Sequence, residues 1–343
     1  MLTQRYIVHI VWEGQITKGE RMDHNKRYIR YYDCKISASV KIGKTATGVK
    51  PVPLLTVLEQ IKALITSGEN IAFTGLGDTQ TWNLQGIEID PTRKLATILV
   101  NRSDQMAADQ AISDPNSTQY FAVASKAGTQ GNAYSSHIVF NYGKSSDHGY
   151  LVLIEEAVGI NAKDLERLLF RAVVAANKAG FAAFNYPHPD STNKILKGRY
   201  KFELTGHPSQ KFIDELNGGI LQNIELITKN NAGNKKFDAY SQTEYHSQII
   251  KLKLISSKTT SVIDLVKSVC KHADELKMEK VRIKFTDPSD FSHTVNFASS
   301  DATVIDEDKY VKKEVIQNFG SRLDTAFQNI QAEIRDKMYY LLR

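Results

Sequence analysis

The chain has 343 residues, of which 41% are hydrophobic and 24% charged, a composition typical of a folded globular protein and not of a disordered or fibrous one. Its net charge of +6 is unevenly placed: residues 1–60 and residues 193–260 each carry +5, and residues 61–192 carry −3. Two basic blocks separated by an acidic one favour a polarised surface that attracts polyanionic partners.

Membrane insertion and metal or cofactor chemistry find no support in the sequence. Residues 6–12, the longest apolar stretch near the start, are too few to cross a bilayer and lack the residue order of a signal peptide. Cys34 and Cys270 lie outside any metal-ligand spacing, so we expect reduced thiols in a cytoplasmic protein. The nine histidines form no zinc-binding pattern. We therefore predict no metal site and no cofactor.

The first half of the chain is predicted to be rich in β-strands, because apolar and polar residues alternate in several short runs. Two segments with apolar residues at three- and four-residue spacing predict helices. In chain order we predict strands at 5–12 and 28–42, a helix at 53–65, a hairpin of 82–89 and 95–100, strands at 120–124, 137–142 and 150–154, and a helix at 161–179.

Residues 186–193 hold two prolines followed by polar turn formers, and they predict a linker between two domains, 1–190 and 191–343. After the linker we predict strands at 200–204, 220–227, 245–255, 281–285 and 294–298, and helices at 208–216, 261–276 and about 308–342. Strands mixed with helices without regular alternation indicate an α+β fold with mixed or antiparallel sheets, packed helices, two domains and a long C-terminal helix.

The predicted C-terminal helix has an apolar stripe along nearly its whole length. At 1.5 Å per residue it would span about 50 Å, more than one domain of this size covers on one side. An uncovered stripe of that length favours self-association, so we expect a homodimer. The alternative is that the helix packs back across its own domain.

Three predicted strands carry apolar residues on one face and Lys or Arg on the other, and if they are neighbours the cations form a surface suited to phosphates. The alternative is a solvated sheet face. The candidate nucleic-acid-binding residues comprise these cations and three lysines of a hydrophilic loop: Arg199, Lys201, Lys229, Lys235, Lys236, Lys251, Lys253, Lys280, Arg282 and Lys284. The pattern predicts a non-enzymatic protein that binds double-stranded DNA with little sequence preference.

Two other functions stay open. A metal-dependent nuclease needs two or three carboxylates near a cation, and the sequence offers Glu88 and Asp90 before Arg93 and Lys94. A looser set follows the penultimate strand: Asp287, Asp290, Glu307 and Lys309. Both sets also fit ordinary turns. The third candidate is an adaptor whose basic faces meet an acidic protein partner.

The layout of the last 145 residues or so resembles the A protein of the lambdoid-phage Rex exclusion system. The shared elements are a strand leading into a helix over residues 202–216, a strand carrying 224–227, a helix at 261–276 that leads into the basic strand 281–285, and a long final helix. The resemblance implies a cytoplasmic, dimeric protein that binds DNA without strong sequence preference and acts in anti-phage exclusion or defence. It implies no catalytic residues.

Overall fold

The computed structural model describes residues 23–114, 119–122, 126–146, 149–229, 247–252, 261–300 and 310–342. The predicted first strand, 5–12, lies outside them. The helices are α1 (Leu54–Thr66), α2 (Ala162–Lys178), α3 (Gln210–Gly218), α4 (Val262–Glu275) and α5 (Ala332–Tyr340). The strands are β1 (Lys26–Ile42), β2 (Thr45–Val49), β3 (Ala72–Thr74), β4 (Gln80–Asp90), β5 (Leu95–Asp104), β6 (Ala111–Asp114), β7 (Gln119–Ala122), β8 (Asn132–Ser146), β9 (Gly149–Glu155), β10 (Asn185–His188), β11 (Ser191–Lys197), β12 (Arg199–Gly206), β13 (Ile220–Lys229), β14 (Ser247–Leu252), β15 (Lys280–Thr286), β16 (Ser292–Ala298) and β17 (Lys313–Gln317).

The larger of the two main sheets is antiparallel and has nine strands, with the main order β12-β1-β9-β8-β5-β4-β3. Strand β1 is 17 residues long and pairs with two strands along each edge. Strands β12 and β17 follow one another along one edge, and β9 and β2 along the other. This arrangement, with helices packed on the sheet, confirms the predicted α+β class.

Helices α1 and α2 cover the first face of the large sheet. Apolar side chains at helical spacing, such as Leu54, Leu58 and Leu168, pack against the inward residues of the strands. Helix α2 begins with a capping box, in which Asn161 accepts from the backbone of Asp164 and the Asp164 carboxylate accepts in return. Both predicted helices are thus confirmed.

The prediction of a long C-terminal helix is wrong. Residues 313–317 form β17, which pairs with β1, and the only helix in the described residues 310–342 that follows it is the nine-residue α5. The reason lies in the second face of the large sheet, which is apolar too. Several residues that we assigned to a helical stripe cover that face, among them Phe319, Leu323, Phe327, Ile334 and Met338. They are joined by Ile316 of β17, which the predicted stripe did not include. Tertiary packing overrides a helical periodicity here, and the dimer prediction loses the exposed stripe from which it was derived.

A buried ionic cluster anchors this C-terminal cover. Glu155 and Arg27 form an ion pair of 2.7 Å, and both side chains are almost wholly buried. The His137 backbone N–H also donates to Glu155 (2.9 Å). Because the Nε2 atom of His137 accepts the backbone N–H of Gln331 (2.9 Å), a neutral ring carries its proton on Nδ1 and donates it to Glu155 (2.6 Å). On the other side, Arg27 donates to the carbonyl of Asp324.

A smaller antiparallel sheet has the order β14-β13-β15-β16 and carries α3 and α4 on one face. The chain leaves the large sheet after β12 and returns to it at β17, and both strands pair with β1. The small unit is therefore an insertion at one edge of the large sheet. Its two connections pair with each other through Pro208 and Val311.

The sheets do not divide the chain at the predicted boundary of 190/191. Residues 199–206 and 313–317 pair with β1 of the first predicted domain. The predicted linker, 186–193, falls on the hairpin of β10 and β11, and Tyr186 donates to the carbonyl of Lys50. Proline-rich polar turns fit hairpin connections as well as linkers. In the described residues no helix is both long and apolar enough to cross a membrane.

We expect Glu155→Gln to lower the free energy of unfolding by about 3–5 kcal/mol, because it leaves the buried Arg27 without its counter-charge. Glu156→Gln is the matched control. Its carboxylate pairs with Arg30 and Lys313 near the surface and should cost no more than about 1 kcal/mol. Urea unfolding followed by circular dichroism measures both. Equal losses in the two variants would contradict the anchoring role.

Candidate nucleic-acid interface

Alternation along the strands gives the small sheet one apolar and one polar face. The apolar face, which includes Val281, Ile283 and Phe285, packs under α3 and α4. The opposite face, called here the outer face, has no helix packed against it among the described elements. Its polar positions include Asn223, Glu225, Lys251, Lys280, Arg282, Lys284, Thr294 and Asn296.

The structure brings four of the predicted cations together on this outer face. Lys280, Arg282 and Lys284 follow one another at alternate positions of β15. Lys251 stands two strands away, and its side chain is 74% exposed. Strand β13 separates the two sets, since Glu225 lies opposite both Arg282 and Lys251.

Glu225 is the acidic residue at the centre of these cations. Its carboxylate lies 3.2 Å from Nη1 of Arg282 and 3.8 Å from Nζ of Lys251. Arg282 also donates to the side-chain oxygen of Asn296 (3.2 Å). In the described part of the chain, Lys280 and Lys284 form no ion pair. The outer face is therefore basic: one carboxylate pairs with Arg282 and Lys251, and Lys280 and Lys284 have no ion pair among the described residues.

The third predicted strand lies elsewhere. Arg199 and Lys201 belong to β12 in the large sheet, opposite Ser39 and Ser37 of β1. Lys201 pairs with Glu203 (2.6 Å). The condition that all three basic strands be neighbours is therefore not met, because β12 pairs with β1, which lies far back along the chain.

The remaining candidates lie at or beyond the limits of the described residues. Lys229 is the last residue of β13. Lys235, Lys236 and Lys253 fall outside the described ranges. Residues 38–45, which loosely match a phosphate-binding loop, form the end of β1 and its turn into β2, with Gly43 at φ +61°.

The first carboxylate pair of the nuclease hypothesis is occupied by arginines. Glu88 accepts from Arg335 (2.5 Å), and Asp90 lies 3.7 Å from Arg93. Hydrogen bonds from Arg335 to Asp336 and Glu88 raise the pKa of its guanidinium above the usual range. Glu88, Asp90, Arg93 and Arg335 line a surface cleft of about 430 Å³. Carboxylates paired in this way give no support to a magnesium site.

The second carboxylate set has different members from those predicted. Asp290 lies in the β15–β16 turn at φ +64°, and Glu307 and Lys309 fall outside the described residues. Asp287 instead meets His293 at 2.7 Å, with Glu215 of α3 close by. Hydrogen bonding from His293 lowers the pKa of Asp287. Thr286 pairs with Ser292 across the turn, and this pairing brings Asp287 and His293 together. No sequence signal pointed to Glu215.

Comparisons with models of known protein families, with curated proteins and with solved structures found no match to this chain. The elements on which the Rex resemblance depends can still be checked singly. The strand and helix over 202–216, the strand carrying 224–227, and α4 leading into β15 are present. The long final helix is not present in the described residues. One of the elements shared with the Rex protein in the sequence comparison, the long final helix, is therefore missing from the described residues.

Proposed function

We propose that this protein binds double-stranded DNA with little sequence preference, through the outer face of the small sheet, and without catalysing a reaction. The observation that carries the proposal is the row of Lys280, Arg282 and Lys284 on β15, joined by Lys251 on β14. Lysine and arginine neutralise phosphates and release condensed counterions, which supplies affinity for any sequence.

The side chains of the outer face favour a duplex over a single strand. Proteins that bind single strands stack bases on aromatic side chains. The outward positions described on β13, β14, β15 and β16 carry no aromatic residue. They offer Thr294, Asn223 and Asn296 between the cations, which are donors and acceptors for phosphate and sugar oxygens.

The physiological part of the proposal is a role in exclusion of, or defence against, phage, and it depends on the resemblance in element order given above. A dimer would place two basic faces along one duplex and raise avidity without a new kind of contact. The acidic-protein adaptor is the alternative outcome, and it would leave the outer face without affinity for DNA.

We expect the full chain to bind unrelated duplexes with similar affinity at about 50 mM salt, and the affinity to fall steeply as salt rises, because counterion release drives binding. Fluorescence polarisation with two duplexes of different sequence, across a salt series, measures both properties. An absent response at low salt would overturn the proposal. Strong preference for one duplex would contradict the sequence tolerance.

The double variant Lys280→Gln/Lys284→Gln should weaken DNA binding equally for all sequences and reduce the salt slope by about 0.9 for each lost phosphate contact. Its matched control is Lys267→Gln/Lys271→Gln, which removes the same charge from exposed positions on α4, on the opposite side of the sheet. The same polarisation assay compares them. If both variants weaken binding equally, net charge and not the outer face is responsible.

Glu225→Gln should strengthen DNA binding about fivefold at low salt, because it removes one negative charge, worth about 1 kcal/mol at 4 Å in water, from the centre of the cations. Glu203→Gln is the control, since Glu203 pairs with a lysine on the large sheet. A gain in Glu203→Gln with none in Glu225→Gln would move the interface to β12.

A further inference from the structure

The helix-covered side of the small sheet carries a second group of ionisable side chains. Two of the three are carboxylates, in contrast to the cations of the outer face. Glu215 of α3, Asp287 of the β15–β16 turn and His293 of β16 each offer one ligand atom, and all three atoms lie within 4.8 Å of one another. Two carboxylate oxygens and one imidazole nitrogen form a donor set that suits a borderline divalent ion.

We propose that Glu215, Asp287 and His293 form a binding site for one zinc ion. Zinc takes nitrogen and oxygen ligands at about 2.0–2.2 Å and is satisfied by three protein ligands and one water. Ligands at that distance from one ion stand roughly 3–4 Å apart. The Nε2 atom of His293 and the Oδ2 atom of Asp287, now 2.7 Å apart, need to separate only slightly to admit the ion.

Asp287 is already oriented for this role. Its Oδ1 atom accepts the backbone N–H groups of Ser289 (2.9 Å) and Phe291 (3.0 Å), which fixes the carboxylate in the turn. The other oxygen, Oδ2, is thereby aimed at His293. Fixed ligands of this kind reduce the ordering that a bound ion requires.

His293 is nine-tenths buried, and its second nitrogen is also placed. The Nδ1 atom lies 3.5 Å from the hydroxyl of Tyr310, and the ring packs 5.1 Å from that of Phe285. On zinc binding the proton of a neutral ring moves from Nε2 to Nδ1, where the Tyr310 oxygen accepts it. Zinc-ligating histidines commonly have such a partner on the other nitrogen, which fixes the tautomer and the ring orientation.

The site is open to solvent on the side of Glu215. A cleft of about 450 Å³ leads to it and is lined by Glu215 and Asp287 together with Asp214 and Ser289. Lys211 lies 3.6 Å from Glu215, but its side chain is 85% exposed and can turn away into solvent. The cleft supplies room for the water that completes the zinc coordination.

The experiment uses the full chain without an affinity tag, freed of metal with a chelator and titrated with ZnCl₂ by calorimetry in the absence of DNA. We expect one site, weakened more than about tenfold in Glu215→Gln and in His293→Gln. The matched control is Asp290→Asn, which removes one negative charge from the same turn. Asp290 has a positive φ, which asparagine also adopts. It should bind zinc like the parent.

Thermal unfolding with and without zinc provides a second measurement, since an ion that binds only the folded state raises the midpoint. Parent and Asp290→Asn should gain equally, and Glu215→Gln less. Should His293→Gln fail to fold, Glu215→Gln decides, because its carboxylate reaches the surface. Zinc affinity that is absent in the parent, or equal in Glu215→Gln and Asp290→Asn, would overturn the proposal. Neither result bears on DNA binding by the outer face.

Discussion

The large sheet has two apolar faces, and the need to close both of them is the constraint on which the rest of the fold depends. The first face is closed by amphipathic helices, which satisfy their own backbones. The second is closed mainly by irregular chain, whose backbone groups need partners on the sheet. The buried Glu155 supplies such partners indirectly, because it neutralises Arg27 and orients His137. Arg27 in turn donates to the carbonyl of Asp324, and His137 accepts the backbone N–H of Gln331. Ser135 of β8 adds bonds to Phe327 and Thr325.

Strand β1, which carries Arg27 of this buried cluster, also holds the small unit in place. The backbone of Tyr31 on β1 accepts from His207 (2.9 Å) and donates to Lys312 (3.0 Å), so both connections meet at one residue. Gly206 is required there, since a Cβ atom would lie 2.2 Å from Val311. Holding the two ends of the insertion together costs loop-closure entropy, and this cost grows only slowly with the length of the insertion. The position of the basic face thus depends on β1, more than 200 residues away in sequence from β15.

Local patterns predicted much of this structure, and the pairing between distant segments could not be predicted. Alternation correctly placed Lys251, Arg282 and Lys284 outward, because side-chain direction follows from strand geometry alone. It could not show that β12 pairs with β1, since both edges of a strand present the same backbone groups. Alternation along residues 28–42 puts Asp33 at a polar position, yet its side chain is buried and lies 3.0 Å from His207 of the connection. The C-terminal periodicity failed for the same reason: its partner face could not be read from its own residues.

One property of β15 links the two proposals. Even positions of the strand carry the cations, and odd positions face the helices. The alternation continues into the turn, so that Asp287 stands on the helix side with His293, away from Lys284 and its neighbours. An acid one position earlier or later would have stood among the cations, as Glu225 does, and neutralised part of them. Period-2 geometry therefore keeps the basic face and the cluster of Glu215, Asp287 and His293 on opposite sides of a sheet that is one residue layer thick.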